Sequence, residues 1–326
     1  MHDVKIAITG ASGQFGREAT RLLIEGGVSP DRLILITRSP DKLAVSAAEG
    51  ADVRRGDFDD EAGLVEALSG AGRMLMISGT RVGFREPQHR AAIEAAKRAG
   101  VRHIAYTSFI GAVESNPSLA VKDHVTTERM LRESGLEWTI LRDAQYADAV
   151  VEAMAPLIVA SGEMTSLAGD GRMAFVCRDD CVAAAVAVLL GDGHANKVYQ
   201  LTGPELVSYR EVAALVSELS ASPIKFTQTD EAGLYAMFDA LGVPRQPIDD
   251  LSVNNFPWNS DDMVSFEVAV RDGHFAIISE DLEQLTGRRP KSLRALLKER
   301  RNAIMTAATR ITPPPPAEAM KDARNA

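Results

Sequence analysis

The stretch TGASGQFG, residues 9–16, decides the fold that this sequence predicts. It follows an apolar run, VKIAIT, that is typical of a buried strand, and it opens a helical pattern. The three glycines have separate roles: Gly10 permits a tight turn, Gly13 lets the backbone approach a pyrophosphate, and Gly16 lets the helix pack close to the sheet. Exposed N–H groups and the positive helix end favour phosphate oxygens. The residues expected to form this dinucleotide-binding turn are Gly10, Ala11, Ser12, Gly13, Gln14 and Phe15.

Short apolar strands alternate with helical patterns along much of the chain. The pattern predicts strands at residues 4–9, 33–37, 74–78, 103–108, 138–141 and 198–201, with a further strand ending before Asp57. It predicts helices at 15–25, 88–99, 122–134 and 179–190. Buried strands that alternate with helices are typical of a parallel sheet covered on both faces. We therefore predict an α/β fold with a doubly wound parallel sheet, the Rossmann architecture, and a smaller C-terminal α/β lobe.

The end of the second strand indicates which dinucleotide binds. Turns of this kind that bind NAD carry Asp or Glu about 20 residues further on, which holds the ribose 2′-hydroxyl. Here the strand ends LILITRS without an acid, and Arg38 is placed to meet a 2′-phosphate, with Lys42 one turn along. A guanidinium pairs with phosphate in a fork geometry. We predict NADP as cofactor, with NADPH preferred over NADH, and expect Asp57 and Phe58 to border the adenine.

These patterns divide the chain into three parts. We expect an NADP-binding Rossmann domain over residues 1–150, to which residues 174–203 return. Residues 204–311 would form mainly a substrate-binding lobe, since prolines interrupt its short helical patterns. Residues 312–326 begin with a run of prolines and continue with polar residues, which predicts a disordered tail.

Composition and charge exclude several classes of protein. The chain has 326 residues, of which 45% are hydrophobic and 25% charged, so it can bury a large core. Its formal net charge of −9 makes nucleic acids and anionic membranes poor partners. No window reaches the ~18 uninterrupted apolar residues of a spanning helix, and the N-terminus lacks a secretory pattern. Because neither pattern is present, we expect a cytoplasmic protein. Cys177 and Cys181 lack a second pair of ligands, so we expect no metal site.

Several motifs occur in one order: TGASGQFG, TRSPDKL, RRGDFDD, MLMISG, PQHR, IAYTS, DHVTTERML and WTILRDAQY. This run resembles the atypical short-chain dehydrogenase/reductases of the NmrA-like group, and within it the type 2 NADPH:quinone oxidoreductases and the triphenylmethane reductases. The similarity covers about residues 4–205 and returns weakly near the C-terminus. The resemblance implies a Rossmann domain, a small C-terminal lobe and an active site in the cleft between them.

The resemblance also implies further cofactor contacts. Residues 78–80 would pass the nicotinamide ribose, and residues 85–90 would add contacts. Asp143 stands where relatives often have Asn, at a position expected to meet the nicotinamide. The complete set added by these considerations is Ser78, Gly79, Thr80, Thr107, Ser108, His124 and Asp143.

The groups that protonate the product in standard short-chain dehydrogenases are Tyr and Lys, spaced Y-x3-K. Alignment through VTTERML places Ala120 at the Tyr position and His124 at the Lys position, with Ser108 at the Ser position. General acid catalysis contributes about 10²–10⁴-fold, so such a chain should be a poor alcohol dehydrogenase. The catalytic candidates are His124, which would hold the ribose or assist protonation, and Tyr146, which would line the pocket or replace the missing donor. The alternative for His124 is an ordinary histidine on the surface of a helix, and the alternative for Tyr146 is ordinary packing.

Three functions are open at this point. The first is an NADPH-dependent oxidoreductase that transfers hydride to a quinone-like or other conjugated electrophile without the Tyr–Lys pair. The second is a non-catalytic NADP-binding sensor of the NmrA kind. The third is a reductase or dehydrogenase of aromatic metabolites whose acid has moved, for example to Lys122 or Tyr146. We expect a planar small-molecule substrate, with Phe109, Phe256 or Trp258 beside it, and a monomer or homodimer.

Overall fold

A computed structural model describes residues 4–246 and 259–311, and a seven-stranded parallel sheet forms its centre. The strands of the molecule are β1 Lys5–Thr9, β2 Leu33–Thr37, β3 Asp52–Arg55, β4 Ala71–Met76, β5 His103–Phe109, β6 Glu137–Asp143, β7 Gln145–Tyr146, β8 Glu163–Ser166, β9 Arg172–Val176, β10 Lys197–Leu201, β11 Leu206–Ser208 and β12 Lys225–Gln228. The order across the main sheet is β10-β6-β5-β4-β1-β2-β3. The chain therefore reverses direction across the sheet between β1 and β4, which is where doubly wound folds bind ligands.

Helices cover both faces of this sheet. They are α1 Gln14–Glu25, α2 Ala44–Ala48, α3 Glu61–Leu68, α4 Arg85–Ala99, α5 Leu119–Glu133, α6 Ala147–Ala149, α7 Ala155–Ser161, α8 Arg178–Leu190, α9 Tyr209–Ser220, α10 Glu231–Ala240, α11 Ser260–Arg271, α12 Asp281–Thr286, α13 Leu293–Glu299 and α14 Arg301–Ala308. A π-helical turn, Val150–Met154, joins α6 to α7.

Two hydrophobic cores lie on opposite faces of the main sheet. Successive residues of a strand point to opposite faces, so Ile8 joins the core beneath α1 and α8, whereas Ala7 joins the core beneath α3, α4 and α5. Every residue of β2 is buried, which explains its uninterrupted apolar sequence. The predicted doubly wound α/β fold is confirmed.

The smaller lobe is built on two small sheets and the helices around them. One sheet has the order β11-β9-β7 and the other pairs β12 with β8. The predicted division at residues 150 and 204 stays a prediction, although β10 does lie in the main sheet. The proposed tail at 312–326, Phe256 and Trp258 lie outside the described residues.

The smaller lobe holds the beginning of α5. Ser118, the residue before α5, makes no side-chain cap, so the first N–H groups of the helix need other partners. The Leu119 N–H donates to Ser265 Oγ (3.0 Å), and the Ala120 N–H donates to Asp262 Oδ1 (3.2 Å). Burial raises the pKa of Asp262 to about 6. Helix α11 thus sets the position of α5, which begins three residues before the predicted start.

The predicted strand at residues 74–78 was wrong at both ends, because β4 spans Ala71–Met76. Beyond Met76 the backbone turns to side-chain partners instead of a neighbouring strand. The Ile77 N–H donates to Thr9 Oγ1 (3.2 Å), and the Ser78 N–H donates to Thr107 Oγ1 (2.9 Å). The apolar sequence does not reveal this change of partner.

Candidate active site

The glycine turn lies at the carboxyl end of β1. Gly10 has a φ of 64°, a left-handed conformation that favours glycine. The Gly13 N–H donates to the Gly10 carbonyl (2.9 Å), which closes the turn. A Cβ at Gly16 would lie 2.6 Å from Ala11 Cα, so a side chain there would push the helix away. Gly13 makes no side-chain cap and the first turn of α1 has no acid, so its N–H groups suit a pyrophosphate.

The end of β2 presents positive charge beside this turn. Ser12 Oγ and Thr37 Oγ1 are 2.7 Å apart, which ties the turn to β2. Arg17 Nε donates to the Ser12 carbonyl (2.9 Å), and its Nη2 donates to the Lys42 carbonyl (3.4 Å). The side chains of Arg38 and Lys42 are exposed, and neither makes a hydrogen bond or ion pair within residues 4–246 and 259–311. Both cations remain available to a phosphate.

Asp57 and Phe58 follow β3 at the same edge of the sheet. Asp57 Oδ1 accepts the Asp59 N–H (3.2 Å), and the Phe58 ring meets the His89 ring edge-on at 5.8 Å. A cavity of about 730 Å³ opens here and is lined by Arg55 and Asp57 among others. Its use by an adenine stays a prediction.

Side chains of β5 and α4 hold the loop that follows β4. Besides the bond from Ser78 to Thr107, the Gly79 N–H donates to His89 Nε2 (3.0 Å). Arg85 Nε donates to the Gly79 carbonyl (2.6 Å). Both backbone groups of Gly79 are therefore used by buried side chains. The next residue of the loop, Thr80, is exposed.

Beneath this loop lies the α4–α5 cluster, which we define as Arg85, His89, Tyr106, His124 and Thr127. Arg85 Nη1 lies 3.3 Å from His124 Nε2, and a guanidinium can only donate. We therefore assign the His124 proton to Nδ1, which donates to Tyr106 Oη (2.7 Å). His89 Nε2 accepts from Gly79, so His89 Nδ1 donates to Thr127 Oγ1 (2.8 Å).

Both imidazoles of the α4–α5 cluster are neutral. Burial, with a smaller effect of Arg85, lowers the pKa of His89 to about 3 and lowers the pKa of His124 well below its usual 6.5. Burial also raises the pKa of the Tyr106 hydroxyl. Every ring nitrogen has a partner, so the cluster is a closed set of hydrogen bonds.

Ser108 also forms a hydrogen bond on the face of the sheet that α4 and α5 cover. Its Oγ donates to Glu128 Oε1 (2.7 Å). Arg142 donates twice to the same carboxylate, at 2.9 and 2.7 Å, and Arg132 donates once at 3.0 Å. Glu128 is only 1% exposed, so its charge depends on these partners.

Asp143, Tyr146 and Cys181 form a second cluster, the Asp143 cluster, on the opposite face. The Tyr146 hydroxyl donates to Asp143 Oδ2 (2.5 Å), and the Cys181 thiol faces the same carboxyl. Asp143 is 3% exposed, and its buried Oδ1 makes no hydrogen bond within the described residues. Burial raises the pKa of Asp143 to about 7, against a smaller opposing effect of the Tyr146 bond. Burial likewise raises the pKa of Tyr146 and of Cys181.

The structure brings in residues that the sequence analysis did not single out. These are His89, within the predicted 85–90 stretch, together with Tyr106, Glu128 and the thiol of Cys181 as a partner of Asp143. A polar group inside a buried strand or helix needs a hydrogen-bond partner, and this was the available signal for Tyr106.

In the described part of the chain, no group of three or more His, Cys, Asp or Glu side chains is arranged to hold a metal ion. Within the same residues, each helix is too short or too polar to cross a membrane. The expected location and oligomeric state stay predictions.

Comparisons with known proteins bear on this edge of the sheet. The model of a family described as NAD(P)H-binding matches residues 10–190. Quinone oxidoreductase 2 of Escherichia coli K12 is 39% identical over 239 residues, covering 73% of this chain and 82% of that protein. The E. coli NADPH-dependent quinone oxidoreductase complexed with NADPH has a TM-score of 0.81 at 34% identity, covering 92% of this chain and 99% of that chain.

A second structure supports the same relationship. Citrobacter sp. triphenylmethane reductase complexed with NADP(H) has a TM-score of 0.79 at 29% identity, covering 91% of this chain and 99% of that chain. The resemblance stated from the motifs is thereby confirmed. Because the matched residues begin at the glycine turn and run through α8, the chain belongs to the NAD(P)H-binding family.

Proposed function

We propose that this chain is an NADPH-dependent oxidoreductase that transfers hydride to a quinone-like or other conjugated electrophile. The observation that carries the cofactor preference is Arg38, an exposed guanidinium without a partner in the described residues beside the glycine turn. The similarity to a quinone oxidoreductase and a triphenylmethane reductase supports the substrate class.

The proposed cofactor site follows the carboxyl ends of the central strands. The N–H groups that begin α1 would hold the pyrophosphate, and Arg38 with Lys42 would hold the 2′-phosphate. The other residues proposed for the site are Asp57, Phe58, Ser78, Gly79, Thr80, Thr107, Ser108, His124 and Asp143.

The proposed substrate class follows from the group that is absent at the start of α5. When bound, NADPH supplies a hydride to the substrate. Ala120 stands where a standard short-chain dehydrogenase has its phenol, and its own N–H is held by Asp262. Without an acid at that position, the alkoxide formed from a simple ketone would be costly, whereas the anion formed from a quinone is stabilised until a proton arrives from elsewhere, and a cationic dye becomes neutral. Positioning would then supply most of the rate.

Aromatic rings from both parts of the molecule support a planar substrate. Phe109, at the end of β5, contacts Phe266 and Phe275 of the smaller lobe, with centroids 6.0 and 5.5 Å apart. Phe266 and Phe275 stack at 4.9 Å. Phe109 and Phe266 are partly exposed. We propose that a flat conjugated substrate lies against these two rings, between the main sheet and the lobe.

The test is NADPH oxidation, followed at its near-ultraviolet absorbance, with quinones, simple ketones and an NADH control. We expect turnover with quinones and little with ketones. Charge-assisted bonds to phosphate are worth about 1.5–3 kcal/mol, so Arg38→Gln should raise the KM for NADPH about 10- to 100-fold and leave that for NADH unchanged.

Arg129→Gln provides a matched control, since Arg129 is an exposed arginine on α5. It should leave both KM values unchanged. An equal rise for NADPH and NADH in Arg38→Gln would contradict the 2′-phosphate contact. Tight NADP binding without turnover of any electrophile would favour the sensor alternative.

A further inference from the structure

Asp143 lies at the carboxyl edge of the sheet, which the proposed cofactor site follows, and on the face covered by α1 and α8. It ends β6, which is two strands from β4, a distance of roughly 10 Å at the usual strand spacing. Its carboxyl faces Cys181 on α8, and α8 packs against α1, the helix that the glycine turn opens. The α4–α5 cluster, by contrast, lies on the other face.

The Asp143 carboxyl has hydrogen-bonding capacity that the fold uses only in part, since the Cys181 thiol, a weak donor, faces it without completing a hydrogen bond. One oxygen accepts from Tyr146 at 2.5 Å, and the other is buried without a partner among the described residues. A buried polar atom without a partner destabilises a fold, and a catalytic role is one reason that a native protein retains it. Tyr146 is partly exposed whereas Asp143 is buried, so Tyr146 is the side chain of the pair that lies nearer to the surface.

We propose that Tyr146 protonates the reduced substrate and that Asp143 supplies the replacement proton. The proposal rests on the hydride transfer proposed above. A quinone that accepts hydride gains two electrons and one hydrogen, and one oxygen becomes negative. The Tyr146 O–H bond breaks as the substrate O–H bond forms. When Asp143 is protonated, its proton lies on Oδ2, 2.5 Å from Tyr146 Oη, and the direction of this hydrogen bond is the reverse of that with the ionised carboxylate. The Asp143 proton then passes to Tyr146 Oη. The negative charge ends on the carboxylate, which solvent protonates again after the product leaves.

The electrostatic surroundings favour a pair over a lone phenol. Burial, followed by the proximity of Asp143, raises the pKa of Tyr146, so a phenolate left at this place would be disfavoured. The pKa of Asp143, raised to about 7, keeps a proton on the carboxyl in a large fraction of molecules at neutral pH. Among the described residues, the other titratable and charged groups that face the pair are Cys181 and Arg178, both of α8. Arg178 is itself paired with Asp148 and Glu152.

The test uses two electron acceptors that differ in their need for a proton. A quinone needs hydride and a proton, whereas a cationic triphenylmethane dye becomes a neutral product by hydride alone. Tyr146→Phe and Asp143→Asn are compared with the wild type on both acceptors with NADPH. General acid catalysis contributes about 10²–10⁴-fold, and the hydroquinone anion is stabilised, so we expect kcat for the quinone to fall about 10- to 100-fold. The fall should be at least about tenfold greater than that for the dye.

The pH profile gives a second readout that a structural role would not change. Quinone reduction by the wild type should decline above about pH 7, as Asp143 loses its proton, and this decline should be absent in Asp143→Asn. Tyr199→Phe is the matched control, because Tyr199 is a partly exposed tyrosine of β10 that bonds His194. It should keep the wild-type ratio of the two rates.

The outcomes separate this proposal from the proposed function. Equal falls with quinone and dye, or a wild-type ratio in both variants, would overturn the proton relay while leaving hydride transfer intact. A wild-type protein that reduces neither acceptor would overturn the proposed function and the relay with it. Residual dye reduction by the variants would show that their cofactor sites are folded.

Discussion

The two faces of the main sheet carry buried polar clusters that are built differently. In the α4–α5 cluster, each imidazole nitrogen of His89 and His124 has a partner, and the loop at Gly79 is held by its members. In the Asp143 cluster, one carboxyl oxygen has no partner in the described chain. A closed set of hydrogen bonds fixes geometry, whereas an open one retains capacity for a ligand or a proton.

This difference changes how the two catalytic candidates are interpreted. His124 is held between Arg85 and Tyr106 and is kept neutral by burial, so we interpret it as a residue that positions the loop after β4. Tyr146 is partly exposed and hydrogen-bonded to a carboxyl whose pKa burial raises to about 7. The proton chemistry is therefore assigned to the face with the open cluster.

The largest expected difference is between two carboxyl-to-amide substitutions, one on each face. Glu128→Gln removes the charge that Arg132 and Arg142 pair with, and breaking a buried ion pair typically lowers stability by about 3–5 kcal/mol. We expect a loss of about 3 kcal/mol. Asp143→Asn removes a carboxyl group whose ionisation is unfavourable in the folded state. Its pKa is raised from 3.8 to about 7, so the gain in the free energy of unfolding is at most about 4 kcal/mol.

We expect a gain of about 1–3 kcal/mol for Asp143→Asn at pH 7.5, because the amide can still accept the Tyr146 hydroxyl. Urea unfolding of both variants measures the two changes. Losses of similar size in both would show that the two faces do not differ in the way described.

The pH dependence of stability should have opposite signs on the two faces. The pKa of His89 is lowered to about 3, so its contribution is present above pH 6.5 and is lost as the pH falls towards 3. The pKa of Asp143 is raised to about 7, so its contribution is present below pH 3.8 and is lost as the pH rises towards 7. Each site contributes at most about 1.4 kcal/mol per pH unit.

Unfolding free energies at pH 4.5, 5.5 and 6.5 test this expectation. In the wild type, His89 makes the unfolding free energy rise with pH and Asp143 makes it fall. His89→Gln should remove the first contribution, and Asp143→Asn should remove the second. Slopes that change in the same direction in both variants would contradict it.

The smallest expected effect comes from the thiol beside Asp143. A serine hydroxyl is a stronger donor than a thiol, so Cys181→Ser should lower the pKa of Asp143 further. The midpoint of the decline in quinone reduction should move down by up to about one pH unit. Cys177→Ser is the control, since the Cys177 thiol donates towards the Lys291 carbonyl instead (3.8 Å). A shift with Cys177→Ser, or an upward shift with Cys181→Ser, would contradict the arrangement.

The parts of the site that could be predicted depend on residues close together in the chain. The glycine turn is an example, because its spacing, its positive φ at Gly10 and the start of α1 are local properties. Arg38 is another, since it directly follows a buried strand whose end lies beside that turn. The bounds of β4 were not predictable in this way, because side chains of β1 and β5 end it.

The amino-acid pattern alone thus established the alternation of strands and helices and the dinucleotide turn, whereas the absence of a Tyr–Lys pair stays a prediction. The three-dimensional packing determined which buried polar groups have all their hydrogen-bond partners and which do not. Arg85 meets His124 across 39 positions of sequence, and Asp143 faces Cys181 on a different element. Protonation depends on such long-range contacts and on burial, because desolvation acts through every neighbour in space, not through neighbours in sequence.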